Sequence, residues 1–370
     1  MSPPNKIRLL VLSPGTQVGQ NVLATLARRR PDVHVVAISS VATEPALFDL
    51  DAVFIAPETA ADPDAFEARL LAVMESERID LVIPCRDDDV VFLAGLRERR
   101  PALARHLLCG SRSAAEVIVD KWSSHEFSRA HGLPFAACLI ASPAEVQRRF
   151  VATYGLPLVA KPRRGYAAID VFLLHTEAQV ATMLARNGYV VQEFLGDPQA
   201  LDQYLASMAA HGVPLYHSFE RVKHSIQALI APDGSIVHVI TTLNERFMRR
   251  SKVVRADPDP TARMIGERCA HAFAAQGWRG PLNVQCEKNA RGEILIHEFN
   301  GRFTGGTIDR WLLGHDEVAA AIVAFTGRSL PAVDNVRPAA AESFQSRVAR
   351  AADPRDVARL AGDGEWQRSP

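Results

Sequence analysis

Residues 280–307 decide how this chain is read: Gly280-Pro281-Leu282-Asn283-Val284-Gln285-Cys286-Glu287-Lys288, the turn Asn289-Ala290-Arg291-Gly292, then Glu293-Ile294-Leu295-Ile296-His297-Glu298-Phe299-Asn300-Gly301-Arg302-Phe303-Thr304-Gly305-Gly306-Thr307. Two apolar-rich runs around a polar, glycine-containing turn predict a β-hairpin. A register symmetric about the turn sets Gln285 opposite Glu298 and Asn283 opposite Asn300. Side chains alternate along a strand, so these four polar groups share one face, and Cys286 and His297 share the other. Three amides and a carboxylate on one sheet face make a poor core. They make a reasonable oxygen-rich site for a hard cation such as Mg²⁺, which takes one or two protein ligands and fills its octahedron with phosphates and water. Arg302 follows two residues later, within reach of an anion beside such a cation. Gly305 and Gly306 come next, and backbone without side chains lets a ligand approach closely.

Four further segments carry chemistry upstream. Asp120-Lys121 opens a helical pattern (Ser123, Phe127, Ala130) that stops at Gly132-Leu133-Pro134. Gly155-Leu156-Pro157-Leu158-Val159-Ala160-Lys161-Pro162 is an apolar strand ending in a lysine. Arg163-Arg164-Gly165-Tyr166-Ala167-Ala168-Ile169-Asp170-Val171 is a loop with a single glycine. Tyr189-Val190-Val191-Gln192-Glu193-Phe194-Leu195-Gly196 is a buried strand running into a loop. Read singly, these are a solvated helix start, a snorkelling lysine, a surface loop and a core strand.

Read together and in this order, they resemble the ATP-grasp superfamily, in particular its carbamoyl-phosphate-synthetase-like branch. The resemblance runs over about residues 7 to 328. It implies that Gln285, Glu298 and Asn300 bind Mg²⁺ or Mn²⁺. Arg302 would touch the transferred phosphate and, with Lys161, act catalytically. Lys121, Lys161 and the flap glycine Gly165 would hold the ATP phosphates. Gln192 would help to bind ATP, and main-chain groups near Glu193 and Leu195 would meet the adenine. Asn283, Arg246, Thr304, Gly305 and Gly306 would line the substrate pocket. Gly301 stands where the family has proline, which is expected to loosen the backbone. Ala167 and Asp170 stand where flap glycines are usual, and both residue types resist φ > 0.

Between these landmarks, Asp197 to His211 reads as an inserted helix (Leu201, Tyr204, Leu205, Met208). Strands follow over 225–230 and 236–240, with Arg246, Arg249 and Arg250 after the second. Lys223 and His224 occupy the region where the family often keeps a ribose-binding acid, so no ribose contact is assigned. The segment before residue 115 alternates strand and helix, a doubly wound parallel pattern. The turn Ser13-Pro14-Gly15-Thr16-Gln17-Val18-Gly19 lacks the full glycine fingerprint, and Asp49 and Asp51 lie too far along for a ribose acid. Arg86-Asp87-Asp88-Asp89 lies at a strand's carboxyl end, where such sheets place ligands. The expected fold class is α/β and α+β. Residues 1–115 form a Rossmann-like pre-ATP-grasp domain. Residues 116–330 form a two-lobed ATP-grasp domain, with the small lobe over 116–192 and the large lobe over 193–330. Residues 331–370 form a C-terminal tail with one short helix and a frayed end from Gly362.

Global properties agree. The 370 residues carry 42 basic and 42 acidic side chains, so charge argues for neither nucleic acid nor an anionic membrane as a partner. No apolar run approaches the roughly 20 residues of a membrane span, and the first six residues do not resemble a signal peptide. The five cysteines are scattered without CxxC spacing, which fits buried thiols in a reducing cytoplasm. The expected activity is that of an ATP- and Mg²⁺-dependent ligase. It would activate a carboxylate as an acylphosphate for attack by an amine, releasing ADP and phosphate. The expected partners are small-molecule carboxylates and amines, and a homodimer stays open. The alternatives are a nucleotide-binding homologue with little catalysis, motivated by the glycine-poor flap, and a nicotinamide-linked oxidoreductase using Gly15 and Gly19.

Overall fold

The computed structural model describes residues 6–165, 168–212, 222–247, 250–333, 340–342 and 352–368. The chain opens with β1 (Ile7–Leu12), α1 (Gln17–Leu26), β2 (Val33–Ser39), β3 (Ala52–Ile55), α2 (Pro63–Ser76), β4 (Leu81–Ile83) and α3 (Asp87–Arg99). β1 to β4 are parallel and almost wholly buried. That is why they read as continuous apolar runs and not as alternating ones. Side-chain caps set the helix starts: Thr16 for α1, Asp62 before Pro63 for α2.

Two short helices follow, α4 (Arg112–Val119) and α5 (Lys121–Ala130), the latter capped by Asp120. A four-stranded antiparallel sheet comes next. Its elements are β5 (Cys138–Leu139), α6 (Ala144–Tyr154), β6 (Leu158–Pro162), β7 (Phe172–Leu174), α7 (Glu177–Leu184) and β8 (Tyr189–Glu193), in strand order β5-β8-β6-β7. The expected helix is present as α8 (Pro198–His211).

The large sheet is built from β9 (Val222–Ile230), β10 (Ile236–Phe247), β11 (Arg250–Ala256), α9 (Pro260–Ala275), β12 (Gly280–Lys288) and β13 (Ile294–Asn300). It is completed, after α10 (Thr307–Leu312) and α11 (Glu317–Thr326), by β14 (Ala340–Glu342), in order β13-β12-β9-β10-β11-β14. One face is apolar. Ile226, Ala228, Val284, Cys286, Ile296 and Phe299 pack with Ile265, Cys269 and Phe273 of α9 and with Trp278. The other face carries the polar side chains.

Three expectations need correction. Arg246 does not follow the second strand: it lies within β10, and Arg250 begins β11. Its side chain, like Arg249 as a whole, falls outside the described residues. The end is not frayed from Gly362. After α12 (Pro354–Asp363), β15 (Glu365–Gln367) pairs antiparallel with β3 at the edge of the first sheet, and Trp366 is buried there. Finally, Cys286 and His297 do not share a face. A β-bulge shifts the pairing after Gln285, so that Cys286 opposes Ile296. The extra residue, His297, is re-aimed toward the polar face, its Nε2 3.5 Å from Glu287 Oε1.

Candidate functional site

The hairpin register is the one its alternation demands: Gln285 opposes Glu298 and Asn283 opposes Asn300. β9 and β10 extend these rows across the sheet. Asn300–Asn283–Gln227 form one row and Glu298–Gln285–Ser225–Thr242 the next, and a third is made by Lys223, which stands opposite Asn244 and pairs with Glu287 Oε1 at 2.8 Å. Directly opposed residues share a face. The metal-type donors therefore belong to a polar surface three rows deep.

Two lysines approach this surface from other elements. Lys121, the first residue of α5, brings Nζ to 3.6 Å from Glu298 Oε1 and donates to the Gly165 carbonyl at 3.2 Å. Lys161, on β6, donates to Gln192 Oε1 at 2.7 Å. Burial pulls the Lys161 ammonium down to about 8; Glu298 opposes the fall, while Lys223 and Lys121 add to it. Gln192 is itself buried on β8, and its Nε2 donates to Cys138 Sγ at 3.3 Å. The amide thus holds Lys161 in place instead of being presented to a ligand. Glu193 is committed too. Its N–H donates to the Ala137 carbonyl at 2.9 Å, and its carboxylate accepts from the Ala137 N–H at 2.7 Å. Leu195 is buried in the loop beyond it.

The flap root is fixed to α5. Arg163 Nη2 lies 2.9 Å from Asp120 Oδ2, and Lys121 N–H donates to the Arg163 carbonyl at 2.9 Å. Burial works against the Asp120 charge, but the Ser123 N–H and the Arg163 guanidinium outweigh it and hold its carboxyl below the usual range. Ala168 and Asp170 both adopt left-handed backbone, at φ 53° and 56°. The flap therefore takes the glycine-type conformation without glycine, which costs about 1–2 kcal/mol per residue. Ala167 and Tyr166 lie outside the described residues.

Arg302 is held in a fork. Nε and Nη2 lie 2.9 and 3.1 Å from the two Asp87 oxygens, and Nη2 also donates to Asn300 Oδ1 at 3.0 Å. Asp87 is the first residue of α3, so the Arg86–Asp89 turn brings the parallel sheet's carboxyl edge to the site. A Cβ on Gly301 would lie 2.8 Å from Trp278 ring atoms, so the glycine is a close approach. The Thr304–Thr307 loop is held from below by Arg310. Its Nη2 donates to Thr304 Oγ1 at 2.8 Å and pairs with Glu317 Oε1 at 2.7 Å, both charged groups being fully buried. Gly305 packs on Gln17: a Cβ would meet its amide at 2.8 Å.

Lys121, Lys161, Gln192, Gly165, Gln285, Glu298, Asn300, Asn283, Arg302 and the Thr304–Gly306 loop are thus gathered about one sheet face. The sequence reading missed Ser225, Gln227, Thr242, Asn244, Glu287 and the role of Asp87. Polar residues at every second position of β9 (223, 225, 227) and β10 (242, 244) were the signal available. The donor set suits Mg²⁺: one carboxylate and two amide oxygens, with room for phosphates as remaining ligands. Glu298 keeps about a quarter of its side chain exposed, with Lys121 Nζ at a loose 3.6 Å.

The fold is shared with solved structures of N5-carboxyaminoimidazole synthetase and biotin carboxylase. The N5-carboxyaminoimidazole synthetase of Staphylococcus aureus with ADP superposes with a TM-score of 0.63 at 14% identity, covering 88% of this chain and 79% of that one. Biotin carboxylase from Campylobacter jejuni, complexed with β,γ-ATP, gives 0.59 at 14% identity, with 88% and 72% covered. The biotin carboxylase domain of Hydrogenobacter thermophilus 2-oxoglutarate carboxylase, with MgADP, ADP and bicarbonate, gives 0.58 at 14% identity, with 88% and 70% covered. At these identities the likeness is one of fold. No protein-family model matches the chain, and no curated protein matches its sequence. Among the described residues, no helix is long and apolar enough to cross a membrane.

Proposed function

We propose that this protein is an ATP- and Mg²⁺-dependent ligase that joins a carboxylate to an amine through an acylphosphate, releasing ADP and phosphate. The observation that carries the reading is the approach of two lysines from other elements to the Gln285–Glu298 pair: Lys121 lies 3.6 Å from Glu298, and Lys161 is close enough to feel its charge. A carboxylate is a poor acyl donor because its leaving group would be oxide. Phosphorylating it solves that problem, and the protein's task is to position the reactants and neutralise charge. Glu298, Gln285 and the Asn300 oxygen would hold Mg²⁺, whose contribution is to neutralise the triphosphate. Lys121 and Lys161 clamp the phosphates as point charges. Arg302 faces the transferring phosphoryl group and the carboxylate, with Asp87 fixing its plane. The Thr304–Gly306 loop shapes the acceptor side and would offer the Gly305 N–H to the tetrahedral oxyanion, the Thr304 and Gly306 N–H groups being held at 3.2 Å by Thr307 Oγ1 and Thr304 Oγ1. Leu195 and the loop after β8 meet the adenine.

Replacing Glu298 tests the assignment. Glu298→Ala removes the one carboxylate of the set at a partly exposed position. ADP release should fall by about a hundredfold or more, with the thermal midpoint within a few degrees of wild type. Activity within tenfold of wild type would refute the metal assignment.

A second reading, nucleotide binding with little catalysis, is favoured by the left-handed Ala168 and Asp170, whose strain could slow flap closure. Ala168→Gly with Asp170→Gly separates the two: faster turnover supports the ligase, and a silent protein that stays silent supports binding.

A further inference from the structure

The row Asn300–Asn283–Gln227 holds polar atoms that the proposed chemistry leaves unused. All three side chains are at least nine-tenths buried, with Gln227 and Asn283 1% exposed and Asn300 4% exposed. Asn300 Nδ2, Asn283 Oδ1 and both amide atoms of Gln227 have no hydrogen-bond partner among the described residues. Buried amide atoms left unpaired are costly, so such a row calls for a ligand or ordered water.

The neighbours fix which atom each asparagine presents. Asn283 Nδ2 donates to the Ile226 carbonyl at 3.0 Å and to Ser225 Oγ at 3.1 Å. A carbonyl only accepts, so the amide cannot be turned round, and Oδ1 is the atom left over. Asn300 Oδ1 accepts from Arg302 Nη2 at 3.0 Å. A guanidinium only donates, so Nδ2 is left over. The row therefore presents one donor, one acceptor and an amide that can be either, with no charge. An ammonium would face the Asn300 donor, and a carboxylate would face the Asn283 oxygen. The group that fits is neutral and carries both N–H and a lone pair.

We propose that Gln227, with Asn283 and Asn300, forms the subsite that holds the acceptor nitrogen as an uncharged amine beside Arg302. This rests on the ligase reading and names the acceptor's form. Asn283 Oδ1 and Gln227 Oε1 accept the amine's N–H bonds, and its one lone pair, which accepts from Asn300 Nδ2 in the resting complex, leaves that donor for the acyl carbon. The C–N bond forms, the carbon–oxygen bond to phosphate breaks, and phosphate leaves with that electron pair and the proton the amine gives up.

Hydroxylamine, uncharged near neutral pH, is the acceptor probe. Carboxylate-dependent ADP release is measured with it for wild type and for Gln227→Met, which keeps the length and removes the amide. The KM for hydroxylamine should rise about tenfold or more, the loss of one or two hydrogen bonds, while the KM for ATP and the thermal midpoint do not fall behind wild type. If Gln227→Met does not fold, Gln227→Asn, which withdraws the amide by one methylene, should give the same split. An unchanged hydroxylamine KM overturns the proposal and leaves the row to structural water. A fall in thermal midpoint with both KM values moved together overturns it as well. Failure of the ligase reading itself looks different: wild type then shows no carboxylate-dependent ADP release with hydroxylamine.

Discussion

Among single residues, Lys161 makes the sharpest claim about pH. Burial lowers its ammonium to about 8. Below that pH the group is charged and attracts phosphate; above it the group is neutral and does not. kcat/KM for ATP should therefore fall as pH rises through about 8, because this parameter reports the free enzyme. Lys161→Arg, charged at any working pH, should lose that limb. A limb that persists in the arginine variant would assign it elsewhere. The four polar residues of the hairpin were legible because the strand period is two and the turn fixes the register. Gln227, Ser225, Thr242 and Asn244 were not legible as site residues. Their place depends on β9 lying beside β12 and β10 beside β9, and nothing local in the sequence announces those pairings. The Asp87–Arg302 fork spans 215 positions and is beyond any local pattern.

Elements explain where the expectations slipped. The bulge after Gln285 leaves the site register intact and reverses only His297. A symmetric register has no way to anticipate one extra residue. At Gly301 the lack of a Cβ is what lets the Trp278 ring approach. The loop from Thr304 to Thr307 depends on the buried Arg310–Glu317 pair. Arg310→Ala would leave the Glu317 charge unpartnered and should lower stability by about 3–5 kcal/mol in equilibrium denaturation. Replacing both by methionine should recover most of that stability, since breaking a buried pair is worse than removing it. The double variant should still lose ligase activity, because the loop loses the Arg310 bond to Thr304. Stability unchanged in Arg310→Ala would mean the pair does not hold the loop.

Across the whole molecule, the parallel sheet could be read from the sequence, but the chain's return to its edge could not. The alternation of apolar strands with capped helices was enough for the parallel sheet. β15 is three residues long, too short for a periodic signal, and its partner β3 lies more than 300 residues earlier. Trp366 anchors it. Its indole N–H donates to Asp356 Oδ1 at 3.1 Å, and its ring stands edge-on to Phe48 with centroids 5.3 Å apart. Trp366→Ala should cost about 3–5 kcal/mol, read by denaturant unfolding, although the residue lies at the far end of the chain. A loss below about 1 kcal/mol would mean the return strand is not part of the cooperative fold. The central claim concerns the whole site: sheet face, lysines and loop acting together on ATP. The most direct test is Mg²⁺-dependent nucleotide release from ATP, resolving ADP from AMP, over pools of small carboxylates and amines. The account predicts ADP, rising only when a carboxylate and an amine are both present. Release of AMP would mean adenylation of the carboxylate and would contradict the acylphosphate route.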